Sequence, residues 1–238
     1  MDEIKDLKNF LKINEINKKI SIECQDELRT SVNLLYLTEE QIINQINELN
    51  CRNDEFKVIQ KVILLLFVQT VKSFKGSLVL SLNGYYTNSI MIARNIIENI
   101  FNVAYLFENS KDSYAKAVKY LKNDSRWANE NIKNRAYFSF NSTLYNLYRN
   151  MSNYTHSNYP ATIKNTDDVG NLTLYPSNKE IRDFLSTANS VYYCFIELVC
   201  EQFEIELNGN NVYKTKEFID KYKTYKMFNF SKNNHSNE

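Results

Sequence analysis

A chain of 238 residues with 43% hydrophobic and 13% aromatic content can bury a sizeable core, and its mean hydropathy of -0.47 puts the remainder in water. Twenty-nine basic against 28 acidic residues leave a formal charge of +1; this excludes a chain-wide field that draws in nucleic acid, so RNA binding has to use a local patch. Four glycines and two prolines are too few for the turns of a sheet protein, which predicts long helices and an all-α fold.

The opening "MDEIKDLKNF" carries acids where a secretion signal needs an apolar stretch, so the expected location is the cytoplasm. Residues 2–20 space Ile4, Leu7, Leu11, Ile16 and Ile20 among charges in an amphipathic pattern, and a second helix is predicted over 23–36. "TEEQ" at 38–41 reads as a capping box, with Thr38 capping and Gln41 reaching back, so a third helix is predicted to about Asn50. Residues 1–53 thus form an N-terminal helical extension, ended by "CRND".

The main body, 54–227, opens with a helix over 54–82 whose apolar residues cover most faces, as expected of a central, buried element. Its longest apolar run, Val62 to Val68, is far too short to span a bilayer, and no membrane partner is expected. Gly84 marks the next boundary. Over 86–108, Ile90, Ala93, Ile97, Ile100, Phe101 and Ala104 share one helical face. Shorter helices are predicted over 112–122 and 125–135, then a longer one over 137–156. The pattern fails over 157–177, which holds both prolines and reads as a functional or mobile loop with a brief strand at "NLTLY". "SNKE" at 177–180 is a second capping box, opening an apolar helix to about 205. A last helix covers 212–227, and 228–238 is expected to be a disordered tail.

Cys24, Cys51, Cys194 and Cys200 stand singly, as reduced thiols do in the cytosol. Zinc-ligand spacings are absent, and Asp167 and Asp168 lack a third carboxylate for Mg²⁺, so no metal or cofactor is expected.

The chemistry-bearing stretch is "YRNMSNYTHSN", 148–158, with the one histidine outside the tail. Arg149 and His156 are seven positions apart, two helical turns, and so point in nearly one direction. On a wheel with Leu144 at zero, Leu147, Tyr148, Met151 and Thr155 fall on the core stripe; Arg149 lies near 140° and His156 near 120° at about 100° per residue. Ser142, Tyr145, Ser152 and Asn153 share that outer flank. An imidazole that titrates near neutrality beside a permanent guanidinium suits metal-independent RNA cleavage, in which the 2′-hydroxyl attacks the adjacent phosphate. A polar pair on the outer flank of a helix is also an ordinary solvated feature.

"RNMSNYTH" resembles the R-x(4–6)-H motif of the HEPN superfamily, and Asn150 matches the polar residue that commonly follows its Arg. "IARNIIENIFNVAYLF" resembles a helix of small prokaryotic relatives with an R-x-x-x-E pattern, matched by Arg94 and Glu98. The resemblance spans about 54–205 and implies a HEPN-like helical bundle, a homodimer whose two Arg–His pairs share one cleft, and endoribonuclease activity as a toxin or an abortive-infection effector against phage. It implies Arg149 on the phosphate, His156 as acid and base, and Asn150 orienting the site, with RNA and an antitoxin or regulatory protein as partners. Six intervening residues is the long limit of the motif, and the first 50 residues fall outside the match.

Arg94 and Glu98 also read as an intrahelical ion pair, although Arg before Glu is the weaker order. Over 212–232, Lys214, Lys216, Lys221 and Lys223 alternate with aromatics, a mixture that binds RNA by charge and stacking or simply packs a terminal helix. Two functions therefore stand: a HEPN-type endoribonuclease, or a non-catalytic HEPN-like module that binds nucleotide or RNA or regulates a protein. A purely scaffolding bundle is the third.

Overall fold

The computed structural model describes residues 18–20, 22–48, 54–107, 112–124, 142–156, 177–207 and 217. Of these 91% are helical and none is in a strand, so the fold is all-α. In chain order come α1 (Gln25–Tyr36), a π-helical segment (Leu37–Ile42), α2 (Ile43–Glu48), α3 (Asp54–Leu82), α4 (Tyr86–Phe107), α5 (Ser113–Leu121), α6 (Ser142–Ser152), a 3-10 segment (Asn153–His156) and α7 (Asn178–Phe203). The predicted helix over 125–135, the "NLTLY" strand, the 212–227 helix and the 228–238 tail lie outside the described residues.

Helices α3 and α4 form the hairpin at the centre. It turns on Gly84, whose φ of 80° is the left-handed conformation that only glycine adopts without steric cost. The Tyr85 N–H donates to the Leu80 carbonyl at 2.8 Å and the Gly84 N–H to Ser81 at 3.1 Å, which satisfies the last carbonyls of α3. Helix α5 ends in the same way, with Asn123 at φ 51° and the Asp124 N–H on the Lys119 carbonyl at 3.0 Å.

Helix α7 runs antiparallel to α3, and paired rings mark the register. Phe56 meets Phe203 edge-on at 6.2 Å, Phe67 stacks on Phe195 at 5.8 Å, and Phe74 lies flat on Tyr192 at 4.0 Å. Helix α7 also packs along α4 and α1, α5 sits on α3, and α6 sits on α4. Leu34, Ile42 and Ile46 are fully buried in the same core, so the segment 25–48 is built into the bundle.

Two expectations need correction. Thr38 caps nothing: the helix continues through it as the π-helical segment, and its hydroxyl donates to the Leu34 carbonyl and bonds the Tyr192 hydroxyl, both at 2.8 Å. With its hydroxyl given to the carbonyl four residues back and to Tyr192, Thr38 sits inside a continuing helix with no free N–H to cap, so the local capping signal loses to the tertiary contact. Helix α3, in turn, is not buried all round. It is the one described helix long and apolar enough to cross a membrane, yet Leu65, Val68 and Val79 face outward along one side.

Candidate functional site

Helix α6 is described from Ser142, the expected start at 137 lying outside the described residues, and its apolar stripe is as the wheel places it. Leu144 and Met151 are buried, while Leu147 and Tyr148 are half-buried against the core. Arg149 and Asn150 are exposed in the last turn, and Tyr145 and Ser152 are half-buried at the margin. The Ser152 hydroxyl donates back to the Tyr148 carbonyl at 2.8 Å.

Between Arg149 and His156 the helix changes type. From Asn153 it is 3-10, which turns about 120° and rises about 2 Å per residue. Regular geometry then puts the Cα of His156 about 60° round from that of Arg149, instead of about 20° in an unbroken α-helix, and about 12 Å along the axis instead of about 10 Å. Both Cα atoms remain on one side of the segment. The His156 side chain lies outside the described residues, as do Lys214, Lys216, Lys221 and Lys223.

The expected pair between Arg94 and Glu98 is not made. Instead the Arg94 guanidinium lies over the Tyr148 ring, 5.3 Å from its centroid. Its Nε is buried with no hydrogen-bond partner among the described residues. Tyr148 also meets Phe101 edge-on at 6.1 Å and stacks with Tyr145 at 6.5 Å. Arg94 and Phe101 are seven residues apart on one face of α4, and Glu98, half-buried, lies between them. Tyr148 is therefore the residue that joins the two predicted groups, Arg94 on α4 and Arg149 on α6. The wheel put it in the core stripe; the signal that pointed elsewhere was the unfavourable Arg-before-Glu order, which sends the guanidinium to an aromatic face.

Helix α6 runs antiparallel to α4, so the 3-10 segment reaches the start of α4, against which it packs. Burial holds the Tyr86 hydroxyl well above its ordinary pKa, with Tyr154, Glu180 and Asp183 nearby adding to the shift. The motif thus ends where α4 and α7 begin. The start of α7 is closed by the expected capping box: Ser177 Oγ accepts from the Glu180 N–H at 3.2 Å, and the Ser177 N–H donates to Glu180 Oε2 at 2.9 Å. Among the described residues no three His, Cys, Asp or Glu side chains come together as metal ligands would.

The model of a family of unknown function, DUF5677, matches residues 60–125, which is α3 from its second turn, α4 and α5. Arg94 and Glu98 lie inside that match and Arg149 and His156 outside it. No curated protein and no solved structure matches the chain.

Proposed function

We propose that this chain is a HEPN-type, metal-independent endoribonuclease of the cytoplasm, acting as a prokaryotic toxin or an abortive-infection effector. Arg149 holds the scissile phosphate and His156 moves the proton. The 2′-oxygen forms a bond to phosphorus as the bond to the 5′-oxygen breaks; the imidazole takes the 2′-hydroxyl proton, and a protonated imidazole supplies one to the leaving oxygen. The second imidazole is that of a second copy facing the same cleft. Lys214, Lys216, Lys221 and Lys223 add sequence-independent phosphate contacts.

The observation that carries this reading is the placing of one arginine on each of two packed helices, Arg94 of α4 lying against the helix that bears Arg149. Arg149 is exposed directly after Tyr148, and Tyr148 carries Arg94 on its face. Cations so disposed on two packed helices suit a polyanion. One observation favours the second reading, a non-catalytic module that binds nucleotide or RNA or regulates a partner: the 3-10 turn takes His156 out of the two-turn register with Arg149.

The test is incubation of total RNA with wild type, Arg149→Ala and His156→Ala, reading 2′,3′-cyclic phosphate ends. The nuclease reading expects each variant to lose about a hundredfold or more in rate. Equal cleavage by wild type and His156→Ala removes His156 from the mechanism, and RNA retention without cleavage by any of the three selects the binding module.

A further inference from the structure

The outer side of α3 carries an unusual set of residues. From Lys61 to Val79 its exposed positions are Lys61, Leu65, Val68, Gln69, Lys72, Lys75 and Val79. Leu65, Val68 and Val79 keep 49%, 47% and 57% of their surface in water. No acid occurs on α3 after Glu55. Lys75 is paired with Glu39, while Lys61 and Lys72 have no ion pair among the described residues.

Helix α5 packs on α3 and repeats the composition. Tyr114 and Leu121, two turns apart, are 39% and 38% exposed, and Lys119 and Lys122 are exposed beside them without an ion pair. Asp112 and Asp124 lie outside the two ends of α5. Each of these two packed helices thus presents exposed aliphatic groups beside lysines that have no ion pair among the described residues. The stripe on α3 alone is about 27 Å long at 1.5 Å per residue. It lies wholly within the segment that the DUF5677 model matches.

Charge decides what such a face can meet. A second copy laid on it symmetrically would set Lys61, Lys72, Lys119 and Lys122 against their own counterparts, so pairing of like faces is disfavoured. Protein interfaces deplete lysine from their cores, where here it alternates with the apolar groups. Single-stranded RNA wants aromatic stacking platforms, and among the described residues of α3 and α5 the exposed apolar groups are aliphatic apart from Tyr114. Lysines that keep their ammonium groups at headgroup level while short aliphatic chains enter the acyl boundary match an anionic bilayer surface.

We infer that the α3–α5 face is a peripheral docking surface for anionic lipid, on which the protein lies without crossing the bilayer. This runs counter to the expectation of no membrane partner and stands independently of the nuclease reading. The test is co-sedimentation of the full chain with vesicles of phosphatidylcholine alone, or with a third of phosphatidylserine, at low and at raised salt. Wild type is expected to pellet with the anionic vesicles only, and less as salt rises. Reversing both Lys61 and Lys72 (Lys61→Glu with Lys72→Glu) lowers the partition by about tenfold or more, since each surface lysine contributes about a fivefold factor. Leu65→Ser with Val68→Ser weakens binding while circular dichroism keeps its helical spectrum at the assay temperature, because about half of each side chain is already in water. Three results overturn the proposal: no pelleting with anionic vesicles, equal pelleting with neutral ones, or full binding by the lysine-reversed variant. RNA binding lost in that variant without any vesicle binding would reassign the face to nucleic acid.

Discussion

Burial keeps several groups protonated that water would let ionise. Burial pushes the Cys200 thiol up to about 12 from an ordinary 9.0, with Glu197 adding to the shift, and Cys194 is raised for the same reasons. Burial also raises the Tyr192 hydroxyl, only partly offset by its bond to Thr38. The folded state therefore keeps thiol protons that an unfolded chain releases between pH 9.0 and about 12. Stability is whole below the unfolded value and falls as pH rises through that window, by up to about 1.4 kcal/mol per pH unit for each such group. Urea midpoints are expected to be lower at about pH 10 than at about pH 8, and Cys200→Ala should reduce the difference without abolishing it, since Cys194 remains. Identical midpoints in wild type at both values would refute the assignment. Arg94 shows the same scale at work on the site: making no ion pair among the described residues, its guanidinium lies over the Tyr148 ring.

At the scale of elements, two similar signals met different fates. Ser177 and Glu180 form the box that their spacing announces, because the start of α7 is exposed and no tertiary partner among the described residues takes the serine hydroxyl. Thr38 stands in an equivalent pattern, but Tyr192 reaches it from α7 and the chain stays helical through the position. Ser177→Ala is expected to cost about 1 kcal/mol, a fall of about 2–4 °C in the thermal midpoint. An unchanged melt would mean that water or a neighbour replaces the cap. The site helix follows the same logic. Its apolar stripe and the exposure of Arg149 were legible from periodicity, whereas the switch to 3-10 at Asn153 was not, since no glycine or proline marks it before His156.

At the scale of the whole molecule, the α3–α7 ring pairs tie the N-terminal half to the C-terminal half. Phe195, fully buried and stacked on Phe67, is central to that contact. Phe195→Ala is expected to destabilise by about 3–5 kcal/mol, read in urea unfolding by a lowered midpoint. A loss under about 1 kcal/mol would show that neighbouring side chains collapse into the space. The same packing buries one long side of α3 and leaves Leu65, Val68 and Val79 outside.

The helical class, the spans of α3, α4 and α7, and the cap at Ser177 were determined by the chain alone. Each rests on interactions between residues a few positions apart, and periodicity, glycine placement and capping chemistry record those directly. Which polar groups meet was decided only by tertiary structure: Thr38 with Tyr192, Arg94 with Tyr148, and the 3-10 turn that carries His156. Those partners come from helices far apart in the chain, and packing geometry, which has no local signature, chooses among them.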